Sequence, residues 1–177
     1  MTLGGNVAPH SLSSVALKSL FCHKSWANAE LFTLLASLPS EHSQQLDACL
    51  RTLNHAHIVD RIFRAHLAGE PRPYDATNAV EPPGLDWLRR AVVETDGWYE
   101  NYVDGADQRM LSVVVNFAFT DGNPGRMSRE EILLHVATHG IYHRGGVAQV
   151  LKSNSVTPPD DPYTVFLHET EPDRKHA

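Results

Sequence analysis

The chain has 177 residues, 42% of them hydrophobic and 20% charged, which supports one globular domain and argues against disorder as the dominant state. Fifteen basic against twenty-one acidic side chains leave a net charge of −6, so nothing global attracts a polyanion and nucleic acid is disfavoured as a partner. No run reaches the ~18 apolar residues of a membrane span. The opening Met1-Thr2-Leu3-Gly4-Gly5-Asn6 lacks a basic and an apolar leader region, and the two cysteines, Cys22 and Cys49, suit a reducing compartment. The expectation is a cytoplasmic protein without membrane contact.

In chain order, residues 1–12 carry turn-forming residues and no periodicity, which predicts a flexible arm. From Ser13 to Leu38, Leu17, Leu20, Phe21, Leu31, Leu34, Leu35 and Leu38 recur at helical spacing before Pro39. A second helix begins near Gln45 and runs through Leu46, Leu50, Leu53, Ile62, Phe63 and Leu67 to a stop at Gly69. Four prolines between Glu70 and Pro83 make the next connection too irregular for a tight turn and mark it as a candidate active-site loop. A third helix spans about Leu85 to Tyr102, weakened somewhat by Gly97. The β-branched and aromatic run Leu111–Phe119, followed by Thr120-Asp121-Gly122-Asn123-Pro124-Gly125, predicts a short hairpin. Ser128 and Glu131 form a capping box at the start of a fourth helix reaching about Lys152. Beyond it the apolar patch Tyr163–Leu167 is expected to dock on the body, and the last ten residues to fray. The fold class is therefore all-α, a four-helix bundle with a small β-hairpin insert before the last helix, as a single domain over residues 13–167 with a tail over 168–177.

Eleven histidines are unusual for this length. His135, His139 and His143 follow one another at four-residue intervals on the fourth helix, so each adjacent pair lies one turn apart, about 6 Å at Cβ, and can converge on one metal. Three cannot all converge, because the stripe drifts about 40° per four residues. Gly140 and Tyr142 stand where a zinc protease would need a glutamate, so that chemistry is disfavoured. Histidines on a half-buried face are also satisfied by backbone or carboxylate groups, and a third ligand from another helix decides between the readings. On the second helix His55 and His57 are about 200° apart, so at most one faces the core. His55 shares its face with Val59, Ile62 and Phe63, whereas His57 shares one with Arg61 and Arg64; His55 is the inward one and His66, near the helix end, reads as a cap or surface residue. Asp60, about 140° from His55, reads as an arginine partner before an imidazole orienter.

Trp26-Ala27-Asn28, Asn54-His55 with Asp60, and the segment His139 to Gly145 together resemble the DinB-like (DinB/YfiT-like) metalloenzyme family over about Ser13 to Leu167. The closing His-x-x-x-His-Arg-Gly pattern is the most specific of the three. The resemblance implies a four-helix bundle in which a divalent metal, nickel or zinc, is held by His55, His139 and His143, with His135 outside the ligand set. Gly146 departs from the glutamine expected after His-Arg-Gly, and removes whatever contact that side chain makes.

Three imidazoles leave a coordination position open, which suits chemistry better than a purely structural site. Relatives of this fold resemble S-transferases that use a low-molecular-weight thiol. The resemblance thus implies a metal-dependent transferase or hydrolase acting on a small-molecule substrate, with a non-catalytic, stress-related metal-binding or scaffold protein as the rival. A homodimer is expected, both from the resemblance and because Trp87, Trp98, Tyr99 and Tyr102 spread too widely around the third helix for one core stripe.

Overall fold

The computed structural model describes residues 12–176, so the arm expected at the start of the chain lies, apart from its last residue, outside the described residues. Four long helices form the body: α1 (Leu12–Ala36), α2 (Ser43–Ala68), α3 (Leu85–Asp104) and α5 (Arg129–Ser153). Between α3 and α5 come a single turn, α4 (Gln108–Leu111), and an antiparallel hairpin of β1 (Val114–Ala118) and β2 (Pro124–Ser128). The protein is an all-α bundle carrying a small β insert.

Local sequence explains the boundaries. Gly69 adopts φ +72°, a left-handed conformation that costs other residues a steric clash, and the Glu70 amide donates back to the Ala65 carbonyl at 2.9 Å to close the end of α2. At the start of α5 the Ser128 hydroxyl accepts from the Glu131 amide at 3.2 Å while the Glu131 carboxylate accepts from the Ser128 amide at 2.6 Å. The predicted capping box is thus present. Pro124 and Gly125, read from sequence as turn residues, begin β2 instead, where Gly125 faces Phe117 across the ladder.

The closest packing pairs α1 with α3 and α2 with α5, and α2–α3 and α1–α5 contacts close the bundle. Its apolar interior falls into two parts. One gathers Leu17, Phe21, Phe63, Tyr99, Ile132 and Val136 near the hairpin. The other gathers Leu31, Phe32, Leu53, Val92, Val147 and Leu151. Where these two sets meet, each of the four long helices places buried polar residues: Lys24 and Asn28 on α1, His57 and Asp60 on α2, Asp96 on α3 and Arg144 on α5.

The structure corrects the reading of α2. His57 is only 2% exposed, more deeply buried than His55, because α2 packs against α3 on one side and α5 on the other and has two inward faces. His66 is no surface residue either, since its ring stacks on Phe117 of the hairpin with centroids 4.7 Å apart. The segment after α5 forms a further helix, α6 (Tyr163–Thr170), and then a short 3-10 turn over 172–176 in place of the expected frayed end. Phe166 of α6 packs on Trp26 and His23 of α1, and the Tyr163 hydroxyl meets that of Ser19 at 2.6 Å. Of the α3 aromatics, Tyr99 is fully buried and stacked on Phe21, Trp98 and Tyr102 stack on each other at the edge of the core, and Trp87 stands half exposed.

Candidate metal centre

His139 and His143 sit one turn apart on α5, and the packing of α2 against α5 brings His55 over them. One nitrogen from each ring can be chosen so that all three lie within 4.8 Å of one another. The ring centroids are 4.3 Å apart for His139–His143, 4.7 Å for His55–His143 and 5.3 Å for His55–His139. The Nε2 atoms of His139 and His143 approach to 3.0 Å. Two imidazole nitrogens on one tetrahedral zinc-like ion stand about 3.3 Å apart, given metal–nitrogen bonds of about 2.0–2.1 Å, so the pair matches a shared ion.

The irregular connection between α2 and α3 contributes to the centre. His55 Nδ1–H donates to the backbone carbonyl of Thr77 at 2.9 Å, which fixes the tautomer and leaves Nε2 as the lone-pair nitrogen. Arg51, one turn before His55, ties the same segment down through the Val80 carbonyl and the Glu81 carboxylate, each at 3.1 Å. Arg72 anchors its other end on the Phe119 carbonyl at 2.9 Å. An open cleft of about 330 Å³, lined by Arg51, Thr52, His55, Asn78 and His143, leads from solvent to two of the imidazoles.

The three histidines are half buried, and the environment of His139 and His143 favours the form that binds metal. Burial, followed by the neighbouring His143, His135 and His55 rings and the Lys24 ammonium, depresses His139 to about 3. Burial and then His55 lower His143. Neutral imidazoles present lone pairs to a cation, which protonated ones cannot. His135 lies outside the converging group: its ring sits 5.3 Å from His139 and 4.9 Å from Phe63, and burial lowers its pKa.

Behind the imidazoles lies a buried ionic network; the sequence reading singled out Asp60, Asn28 and Arg144 but not their connection through Lys24, Asp96 and Asp161. Lys24 pairs with Asp60 at 2.8 Å and with Asp96. Asn28 donates to Asp96 at 2.7 Å and accepts from Arg144 at 3.3 Å, and Arg144 in turn forks onto Asp161 with bonds of 2.8 and 3.1 Å. Asp60 therefore meets a lysine of α1, neither an arginine nor an imidazole. Burial, opposed by Lys24, pushes Asp60 up to about 6. For Lys24, burial acts to lower the pKa but Asp60 and Asp96 outweigh it and the net direction is up. A signal was available in the sequence: Lys24 and Asn28 interrupt the same apolar stripe as Phe21 and Leu31, one turn apart, and Asp96 does so between Val92 and Tyr99. Gly140 makes room for this network, since a Cβ there would stand 3.3 Å from both Lys24 Cε and Arg144 Nη1.

No helix among the described residues is long and apolar enough to cross a membrane. A profile of the DinB family matches residues 13–174. The chain is also similar to Protein DinB of Bacillus subtilis (strain 168), with 22% identity over 173 residues that cover 92% of this chain and 99% of the relative. A bundle whose three imidazoles converge from α2 and α5, matched by that profile over nearly its whole length, belongs to the DinB family.

Proposed function

We propose that this protein is a divalent-metal-dependent enzyme of the cytoplasm, acting on a small molecule as a thiol-dependent S-transferase or a hydrolase. The observation that carries the reading is the convergence of three imidazoles, of which His55 and His143 line an open cleft, while burial favours the neutral form of His139 and His143. His55, His139 and His143 would hold the ion, nickel or zinc by donor type. When bound through three imidazoles, such an ion supplies Lewis acidity and lowers the pKa of a water or thiol at its open position. The Thr77 carbonyl keeps His55 in the tautomer that points Nε2 at the centre. Thr52 and Asn78 offer a hydroxyl and an amide on the cleft wall for orienting a small polar substrate. The Arg51 guanidinium is engaged by Asp47, Val80 and Glu81, so its role is to hold the loop that forms the wall.

The test is metal content of untagged protein, followed by a screen of thiol transfer and ester or amide hydrolysis. Turnover that disappears on chelation and returns with zinc or nickel supports the enzyme. A stoichiometric ion without turnover on the whole panel replaces it with a non-catalytic metal-binding protein.

A homodimer belongs to the same proposal. Its support is the half-exposed Trp87 and a groove of about 320 Å³ between α1 and α3, in which Val93 is 60% exposed and Arg89 and Glu100 stand at opposite ends of the α3 wall. Two copies related by a two-fold axis would set each arginine toward the partner's glutamate.

A further inference from the structure

On the inner side of the candidate ligands the bundle encloses a second cavity, of about 20 Å³, between α1, α2, α3 and α5. Phe32, Leu53 and Val92 form its apolar wall, and Lys24, Asn28, His57, Asp60, Gly140 and Arg144 form the rest. Three polar atoms buried there have no hydrogen-bond partner among the described residues: Oδ1 of Asp60 and both ring nitrogens of His57. Asp60 and His57 are 4% and 2% exposed, so bulk solvent does not reach them. They are three residues apart on α2 and hence neighbours on its surface. The other carboxylate oxygen of Asp60 is taken by Lys24, and Asp96 by Lys24 and Asn28.

We infer that this cavity is a binding site for a single water molecule, bridging His57 to Asp60 and through it to the Lys24–Asp96 pair. A water needs roughly 10–15 Å³ of such space and two to four polar partners, and the cavity offers both. The match of chemistry is specific. Asp60 Oδ1 takes one water hydrogen, and a ring nitrogen of His57 either gives or receives the second bond. The cavity shares no lining residue with the cleft at His55 and His143.

Crystals of the full chain at near-atomic resolution, one of them pressurised with xenon, test the site. One ordered water within about 3.2 Å of Asp60 Oδ1 and of a His57 ring nitrogen is expected, with no xenon in the cavity. In solution, water-to-imidazole cross-relaxation at the His57 ring protons should mark a bound molecule in the same place, and a His57→Phe chain, if folded, should lose the water. A xenon peak, a dry cavity, or a His57 ring turned to bond Asp60 directly overturns the assignment.

Discussion

At His139 and His143 burial keeps the rings neutral, and at His55 a backbone carbonyl sets which nitrogen faces the centre. Replacing His55, His139 or His143 singly with Ala is therefore expected to abolish stoichiometric metal binding measured by calorimetry. His57→Ala and His66→Ala are expected to leave it nearly intact; if His57→Ala emptied the centre as fully as His55→Ala, the α2 ligand would be misassigned. His135→Ala is the sensitive control, because strong metal loss there would move the ligand pair one turn earlier on α5. Lys24→Met leaves Asp60 and Asp96 buried beside each other without their cation, so it should destabilise by about 3–5 kcal/mol in urea unfolding. A loss below 1 kcal/mol would mean that the two carboxyls are already neutral. The histidine trio was legible in the sequence because helical spacing and the His-x-x-x-His-Arg-Gly pattern point the same way. His57 was not, because a helical-face argument assigns one inward side to a helix that the packing gives two.

The irregular segment after α2 shows how an element without regular structure becomes part of a site. Its prolines prevent it from folding back as helix, and Arg51, His55 and Phe119 supply the fixed points that hold it across the mouth of the cleft. Replacing residues 74–80 with a Gly-Ser linker of equal length should leave the circular dichroism of the bundle unchanged and weaken zinc binding about 10–100-fold, as expected when an orienting partner of a metal ligand is lost. Unchanged affinity would show that the Thr77 carbonyl contributes nothing to holding His55. Composition alone predicted a loop here and its candidate role, but not which atom of it reaches the imidazole, because a backbone carbonyl leaves no signature in side-chain identity. The hairpin and α6 give the reverse case. β-branched residues and the Tyr163–Leu167 patch marked both segments, yet the strand boundary at Pro124 and the continuation of α6 to Thr170 depend on contacts made only in the folded chain.

For the whole molecule, the depressed histidines predict how stability varies with acidity. His57 at about 4 and His139 at about 3 lie below the free-imidazole value of about 6.5, so their contribution is fully present above pH 6.5 and is lost as pH falls toward the folded values. Asp60, raised to about 6, runs the other way: its contribution is present below the free-carboxyl range and is lost as pH rises through 6. Two histidines against one carboxyl leave a net proton uptake on unfolding, so the melting temperature of chelator-treated protein should drop between pH 7 and pH 5. A flat or rising profile by calorimetry would contradict the buried, neutral state of these rings. The proposed dimer is checked by light scattering over a range of concentrations, where a steady mass near 19.6 kDa would dismiss it. The charged layer between the two apolar halves has a further consequence for how such a molecule ages over generations. Leucine against leucine permits helices to slide by a turn and still find partners, whereas a lysine shared by two aspartates on two other helices fits at one height. The layer works like the pin of a lock: Lys24 ties α2 to α1 through Asp60, and Arg144 ties α5 to α1 through Asn28, at the setting that matches His55 to His139 and His143. Most of the surrounding Leu, Ile and Val residues can then be exchanged for one another at small cost while the three imidazoles still meet.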